Sequence, residues 1–145
     1  MKKILLIVLI AINFYAQTAK HKSLITINDP WIRPAAAEAN TAFFFEAVNG
    51  SDKTDSLIAA EFKFAEVAEV HETYKKSEDV MGMRAVKAVA IPANSKVKFK
   101  PRDLHIMLIN LARDIKKGQT YNVTLVFKRA GKIKVDAIAR DMPKM

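Results

Sequence analysis

Residues 104–111 read LHIMLINL, and the periodicity of this segment decides the fold class. Leucine and isoleucine at its first, third and fifth positions alternate with His105 and Met107. Successive side chains of a β-strand point to opposite faces, so the apolar set would pack into a core while the imidazole and the thioether share the other face. The segment therefore predicts a strand that presents a histidine and a methionine together.

Short β-rich runs separated by turn residues continue on both sides of this segment. Residues 41–48 (TAFFFEAV) end at Asn49-Gly50, a turn pair that tolerates positive φ. Residues 121–129 and 132–139 predict a closing hairpin. No stretch beyond the N-terminal region has the pattern of a long amphipathic helix, so we predict an all-β sandwich or barrel of about eight strands. The remaining predicted strands are 23–28, one starting near Trp31, two within 57–71, 83–91 and 96–100, with a loop at 114–118.

The N-terminus resembles an export signal. Lys2 and Lys3 precede an apolar run at 4–12 (ILLIVLIAI). This run is shorter than the roughly 20 residues that a membrane-spanning helix needs, but it suits the apolar region of a secretory signal peptide. We predict a signal peptide at 1–16, cleaved after Ala16, and a single mature domain at 17–145 in the periplasm. No cysteine follows the run, so we do not expect a lipid anchor on a cysteine.

Composition excludes several classes of site. The 145 residues include no cysteine, which rules out disulfides, thiolate metal sites and blue-copper electron carriers. The net charge of +9 is dispersed, and the aromatic residues cluster in apolar strands. Nucleic-acid binding would need a basic stripe with stacking aromatics, so we expect no nucleic-acid partner. A solvated basic surface explains the charge, and steering toward an acidic partner or an anionic lipid surface is the alternative.

The three histidines and six methionines are the informative residues. Met81 and Met83 stand two apart and would share one face of a strand, and His71 closes an alternating segment. Thioether and neutral imidazole suit soft Cu(I), whereas Mg²⁺ and Ca²⁺ prefer oxygen ligands. Such a site also avoids thiols, which an oxidising compartment converts to disulfides. These residue types therefore favour Cu(I).

Taken one at a time, the same residues have simpler explanations. A methionine in a β protein usually fills the core, and a lone histidine is usually a surface residue. We expect His21, near the predicted mature N-terminus, to be such a surface residue. Met142 and Met145 lie in a polar tail, where a weak second metal contact is the less favoured alternative.

The spacing of four of these residues favours a metal site over the simpler explanations. Eleven residues separate His71 from Met83, twenty-one separate Met83 from His105, and one separates His105 from Met107. This spacing resembles the signature of the periplasmic copper(I) chaperones of the PCuAC family. Other segments that resemble the family are WIR at 31–33, VHET at 70–73, VMGMR at 80–84, IPA at 91–93, LHIML at 104–108 and the Lys-Gly pair at 117–118. The resemblance covers nearly the whole predicted mature chain.

The resemblance implies a cupredoxin-like β-sandwich in which His71, Met83, His105 and Met107 bind one Cu(I) ion. It also implies a metallochaperone, not an enzyme, that delivers copper to cytochrome oxidase, directly or through an assembly factor. We expect the protein to be a monomer.

Two positions depart from the fullest form of the family pattern. Met81 is an additional thioether, expected to be a neighbour of Met83 or a reserve ligand. Glu72 stands where a further methionine can occur, and we expect it to be a solvated charge.

Two other functions fit the same sequence. A copper-scavenging or tolerance protein would need the same site, and a metal-free β-sandwich interaction module would leave the histidines and methionines scattered in space. Catalysis is not expected, because the sequence has no Ser-His-Asp arrangement, paired-carboxylate motif or glycine-rich phosphate loop.

Overall fold

The computed structural model describes residues 24–143, and its regular structure consists of β-strands. The predicted signal peptide at 1–16, His21 and Met145 lie outside the described residues. No helix long and apolar enough to cross a membrane occurs between residues 24 and 143. The strands are β1 (Ile25–Ile32), β2 (Thr41–Asn49), β3 (Asp55–Glu61), β4 (Ala65–Ser77), β5 (Val80–Ala85), β6 (Val89–Ile91), β7 (Ser95–Phe99), β8 (His105–Leu111), β9 (Thr120–Phe127) and β10 (Gly131–Ala139).

The strands form one hydrogen-bonded sheet with the order β5-β4-β8-β2-β1-β10-β9-β3-β6. Neighbouring strands are antiparallel except β1 and β10, which are parallel. β7 lies off this path and pairs with β2. The path ends at β5 and β6 without closing into a barrel, and the sheet folds over one main core as a sandwich.

Alternation along the central strands assigns one face of each strand to the core. Phe43 and Phe45 of β2 and Ile106 and Leu108 of β8 are almost completely buried in the main apolar cluster. Burial of each such side chain stabilises the fold by about 1.5–3 kcal/mol. The residues between them face the opposite side of the sheet, and the candidate site lies on that outer face.

The predicted all-β class is confirmed, although the described part of the chain has ten strands instead of about eight. The predicted break before Trp31 is a bulge inside β1, where pairing with β2 shifts between Asn28 and Trp31. Asp29 has φ 48° at this bulge, in the left-handed region that aspartate tolerates better than most residues. One longer strand therefore replaces the two that were predicted.

The prediction of one strand at 83–91 is also wrong, because the structure divides this segment between β5 and β6. Val86 leaves the ladder and donates its backbone N–H to the carbonyl of Val70, at 2.9 Å. The closing hairpin of β9 and β10 forms as predicted, and Gly131 has φ 75° where it begins β10. The loop at 114–118 is tied down by a bridge between Ala35 and Ile115.

Candidate metal centre

β4 and β8 place two histidines opposite one another. In their antiparallel pairing His71 is the partner of His105, and Glu69 is the partner of Met107. Opposed side chains in such a pair lie on the same face, with Cβ atoms roughly 5 Å apart. The two imidazole rings are 5.9 Å apart between centroids, at an interplanar angle of 53°. Two imidazoles and one thioether thus share a small area of the outer face.

β5 adds two thioethers at the edge of the sheet. Met83 is the partner of Thr73, which is two residues beyond His71 on β4 and therefore lies on the same face. Met81 is two residues from Met83 and shares that face. The two methionine residues are 59% (Met81) and 58% (Met83) exposed, so solvent and other molecules can reach them.

A cavity of about 360 Å³ connects the two groups of donors. His105, Met107, Met83 and Met81 all line it. His71 is not part of the cavity wall and lies next to the His105 ring. The structure therefore brings the four predicted residues into one neighbourhood and places Met81 there with them.

His105 is the more deeply fixed of the two histidines. It is 4% exposed, and its Nδ1 lies 2.9 Å from the backbone carbonyl of Asp103. This carbonyl accepts the Nδ1 proton, which leaves the lone pair on Nε2. Burial lowers the pKa of His105 below its ordinary 6.5, the Asp103 hydrogen bond acts against this, and the charges of His71 and Arg33 lower the pKa further. The ring is therefore held neutral, the form that binds metal.

The turn before β8 sets the position of His105. The backbone N–H of Lys100 donates to the carbonyl of Leu104 at 2.8 Å, and the Asp103 carboxylate accepts the N–H of Leu104 at 2.9 Å. Arg102, inside this turn, has φ 64°. The same short segment thus fixes the hydrogen bond to His105 and the start of the strand.

His71 is held by its neighbour two residues earlier on β4. Its Nε2 lies 3.0 Å from Oε2 of Glu69, whose carboxylate accepts the proton of this nitrogen. Nδ1 of His71 is buried and has no hydrogen-bond partner among residues 24–143. An unsatisfied buried polar atom costs about 1–3 kcal/mol, and coordination of a metal ion would offset that cost.

The opposite face of the β4–β5 hairpin holds β5 in place. The Glu72 carboxylate accepts a hydrogen bond from Nε of Arg84 at 2.6 Å, and the guanidinium lies 5.0 Å from the centre of the Tyr74 ring. A Cβ at Gly82 would come within 2.8 Å of Cζ of Tyr74, so the glycine between the two methionines makes room for this ring. Glu72, expected to be a solvated charge, faces away from the histidines, pairs with Arg84 and keeps about a third (32%) of its side chain exposed.

A small aromatic cluster lies beside His105 on the outer face. Trp31, Ala42 and Phe44 form an apolar group separate from the main core, with the two rings 4.4 Å apart. The Phe44 ring is 6.2 Å from that of His105. These neighbours are absent from the sequence-based site, although alternation in TAFFFEAV would have placed Ala42 and Phe44 on the face opposite Phe43.

The C-terminal tail also reaches this side of the molecule. Sδ of Met142 accepts a hydrogen bond from Nη2 of Arg33, at 3.7 Å, and Met142 is exposed. A second metal contact by Met142 remains a prediction.

The donor set is a soft one. Among the described residues, no three His, Cys, Asp or Glu side chains gather in a way that could hold a metal ion. The arrangement on β4, β5 and β8 instead offers two imidazoles together with thioethers, and this combination fits Cu(I) better than Zn²⁺, Mg²⁺ or Ca²⁺.

Related sequences span most of the described domain. The family with the description "Putative lipoprotein LpqE-like" matches residues 25–139. The chain is 31% identical over 113 residues to "Putative lipoprotein Lxx21020" of Leifsonia xyli, a match that covers 77% of this chain and 68% of that protein. It is 27% identical over 119 residues to "Uncharacterized protein RP573" of Rickettsia prowazekii, covering 79% of this chain and 66% of the relative.

Solved structures share the fold. The apo PCuAC domain from PmoF1 has a TM-score of 0.68 at 25% identity, covering 83% of this chain and 95% of that domain. The copper-bound PCuAC domain from PmoF2 has a TM-score of 0.67 at 25% identity, covering 82% and 94%. The solution structure of CuI-DR1885 from Deinococcus radiodurans has a TM-score of 0.62 at 27% identity, covering 86% and 85%.

A β-sandwich of this topology, with imidazoles and thioethers on one outer face, defines a domain of the PCuAC type with a cupredoxin-like fold. The chain belongs to the LpqE-like family. The predicted resemblance to the PCuAC family is thereby confirmed.

Proposed function

We propose that the protein binds one Cu(I) ion through His71, Met83, His105 and Met107 and passes it to an acceptor outside the inner membrane. The observation that carries this proposal is the β4–β8 register, which pairs the two histidines on the face that also bears the thioethers. The similarity to a copper-bound PCuAC domain and to CuI-DR1885 supports it.

We infer the metal-binding nitrogen of each imidazole from its hydrogen bonds. His105 uses Nδ1–H for the Asp103 carbonyl, so Nε2 is the proposed donor to copper. His71 uses Nε2–H for the Glu69 carboxylate, so the unpartnered Nδ1 is the proposed donor. Hydrogen bonding of the second ring nitrogen is the usual way in which proteins orient a metal-bound histidine.

The donor set favours transfer over permanent retention. Neutral imidazoles and thioethers place no negative charge on the metal, in contrast to thiolates. Met83 lies on an edge strand and is mostly exposed, so an incoming ligand can replace its sulfur while the buried His105 still holds the ion. Met81, on the same face of β5, serves as a reserve ligand during this exchange.

The proposed binding is tested by Cu(I) competition titration of the mature protein with a chromogenic chelator. We expect one Cu(I) per chain and a large loss of affinity in His105→Ala and Met107→Ala. Unchanged binding in both variants would remove the assignment of the site.

The proposed acceptor is cytochrome oxidase, reached directly or through an assembly factor. The protein would act as a monomer in the periplasm after removal of the signal peptide at 1–16, and would carry out no catalytic step. A deletion strain grown under copper limitation should lose oxidase activity and regain it when copper is added. Normal oxidase activity combined with sensitivity to excess copper would instead favour a scavenging or tolerance function.

A further inference from the structure

The cavity above the proposed copper site has two arginines in its wall, Arg33 and Arg102. None of the described residues that line the cavity is acidic. Neither guanidinium forms an ion pair with any residue between 24 and 143, whereas those of Arg84 and Arg140 each pair with a carboxylate. Two unneutralised positive charges therefore face the place where a cation is expected to bind.

Neither arginine is strongly held by the rest of the protein. Arg33 follows β1, and its guanidinium carbon lies 5.9 Å from the centre of the Phe44 ring. Its hydrogen bond is to the weakly accepting sulfur of Met142. Arg102 sits in the turn before β8 with φ 64°, a conformation that arginine adopts rarely. Both side chains are exposed, so their donors are available to a ligand.

The charge at this site would increase when copper binds. The imidazoles and thioethers carry no negative charge, the Glu69 carboxylate is bonded to His71 and is not part of the cavity wall, and the two guanidiniums in that wall add to the positive charge of Cu(I). Carboxylates supplied from outside would neutralise this charge, and the planar guanidinium matches a carboxylate with two parallel hydrogen bonds.

We propose that the cavity is the docking site for an acidic segment of the protein that donates or accepts copper, with its carboxylates on Arg33 and Arg102. This inference rests on the proposed copper-binding function. The soft ligands of the docked segment would meet Met81 and Met83, which line the same cavity and are exposed. Neutralisation and ligand exchange would then occur in one complex.

The shape of the site favours a protein segment over an anionic membrane surface. The arginines lie in a concavity of about 360 Å³, a volume that receives a few side chains. Three of the proposed copper donors, Met83, His105 and Met107, line that concavity, and a partner must enter it to exchange ligands. A flat lipid surface would contact the rim alone.

The experiment measures Cu(I) transfer from the loaded mature protein to two synthetic ten-residue peptides. Both contain the same two methionines, flanked by four aspartates in one peptide and by four asparagines in the other. We expect the acidic peptide to receive copper at least about tenfold faster at roughly 20 mM salt, and most of this advantage to disappear at roughly 500 mM, because salt screens charge attraction.

Single arginine variants test which residues cause the preference for the acidic peptide. Arg33→Gln and Arg102→Asn should each reduce the preference for the acidic peptide by about threefold or more, since each removes one charge-assisted contact. Asparagine tolerates positive φ, so Arg102→Asn removes the charge without straining the turn. Arg113→Gln is the matched control, because this exposed arginine stacks on Phe64 beyond the far end of β8. It should keep the full preference.

Equal transfer rates to the two peptides would overturn the docking proposal, as would an equal loss in Arg113→Gln. Retention of the protein by phosphatidylglycerol vesicles through Arg33 and Arg102, with no peptide preference, would assign the arginines to a membrane and also overturn it. Cu(I) affinity is measured separately by chelator competition. Absence of Cu(I) binding refutes the proposed function itself, whereas normal binding without a preference for acidic peptide refutes only the docking site.

Discussion

The imidazole half and the thioether half of the candidate site are built in different ways. His71 and His105 lie on the inner strands β4 and β8, and each has one ring nitrogen hydrogen-bonded within the domain. Met81 and Met83 lie on the edge strand β5, and more than half of each is exposed. Met107, on β8, is partly buried and lies two residues from His105, on the side of the histidine pair away from Met83.

This difference separates two requirements of a carrier. A preorganised pair of imidazoles lowers the ordering cost of binding the ion, because the rings are oriented before the metal arrives. Exposed, flexible thioethers allow an acceptor to replace one ligand at a time. We therefore expect substitutions in the imidazole half to affect affinity most strongly.

The largest expected effect is that of removing an imidazole. His105→Ala should lower Cu(I) affinity by more than the roughly 10–100-fold that loss of a supporting residue typically costs. Competition titration measures this loss, and thermal unfolding of the apo-protein checks that the variant is folded. His21→Ala is the control and should bind normally. A loss in His105→Ala no greater than that in Met83→Ala would contradict the division between the halves.

Removing the carboxylate that holds His71 should have the next largest effect on Cu(I) affinity. Glu69→Ala should lower Cu(I) affinity by about 10-fold or more, because the ring loses the partner that keeps the lone pair on Nδ1. Glu69→Gln should retain most of the affinity, since its amide oxygen still accepts the Nε2 proton. Glu66→Ala, on the same strand and bonded to Asn110, is the control. An equal loss in Glu66→Ala would refute the role of Glu69.

Removal of one thioether from the edge strand β5 should lower Cu(I) affinity less than either of these changes. Met83→Ala should lower Cu(I) affinity by about 10-fold at most, because Met81 can take over as ligand, and the two losses should not be additive. Met81→Ala alone should have little effect. The Met81→Ala/Met83→Ala double variant should lose far more than the sum of the single losses in free energy. A double variant equal to Met83→Ala would show that Met81 is not a reserve ligand.

The smallest expected effect is a pH dependence of apo-protein stability. The pKa of His105 is lowered below 6.5 in the folded state, mainly by burial. As the pH falls through about 6.5, His105 therefore takes up its proton in the unfolded state before it does so in the folded state. The contribution of His105 to the free energy of unfolding should therefore be complete above this pH and decrease below it, down to the folded-state pKa. Urea unfolding at pH 7.5 and 5.5 measures the change, and His105→Gln should reduce it. An unchanged pH dependence in that variant would contradict the buried, neutral imidazole.

Local patterns predicted much of this arrangement, and long-range pairing supplied the rest. Alternation in residues 104–111 placed His105 and Met107 on the face opposite Ile106 and Leu108, as the structure has them. The same kind of alternation could have identified Phe44. The β4–β8 register was out of reach, because nothing local in the sequence specifies which strand lies beside β8.

Other features lacked any local signal. The bulge at Asp29 depends on pairing with β2, so the sequence showed it only as a turn. Arg33 and Arg102 are isolated basic residues in the sequence, and they become neighbours of the site because β1 and the turn before β8 meet at one cavity.

The central claim is that two imidazoles of defined tautomer bind one Cu(I) ion together with thioethers. Long-range ¹H–¹⁵N NMR spectra of the histidine side chains, recorded during addition of one equivalent of Cu(I), test it most directly. We predict that Nδ1 of His71 and Nε2 of His105 shift together and saturate at one equivalent, while the ring of His21 does not change. Unchanged spectra of His71 and His105 at one equivalent would contradict the proposed site.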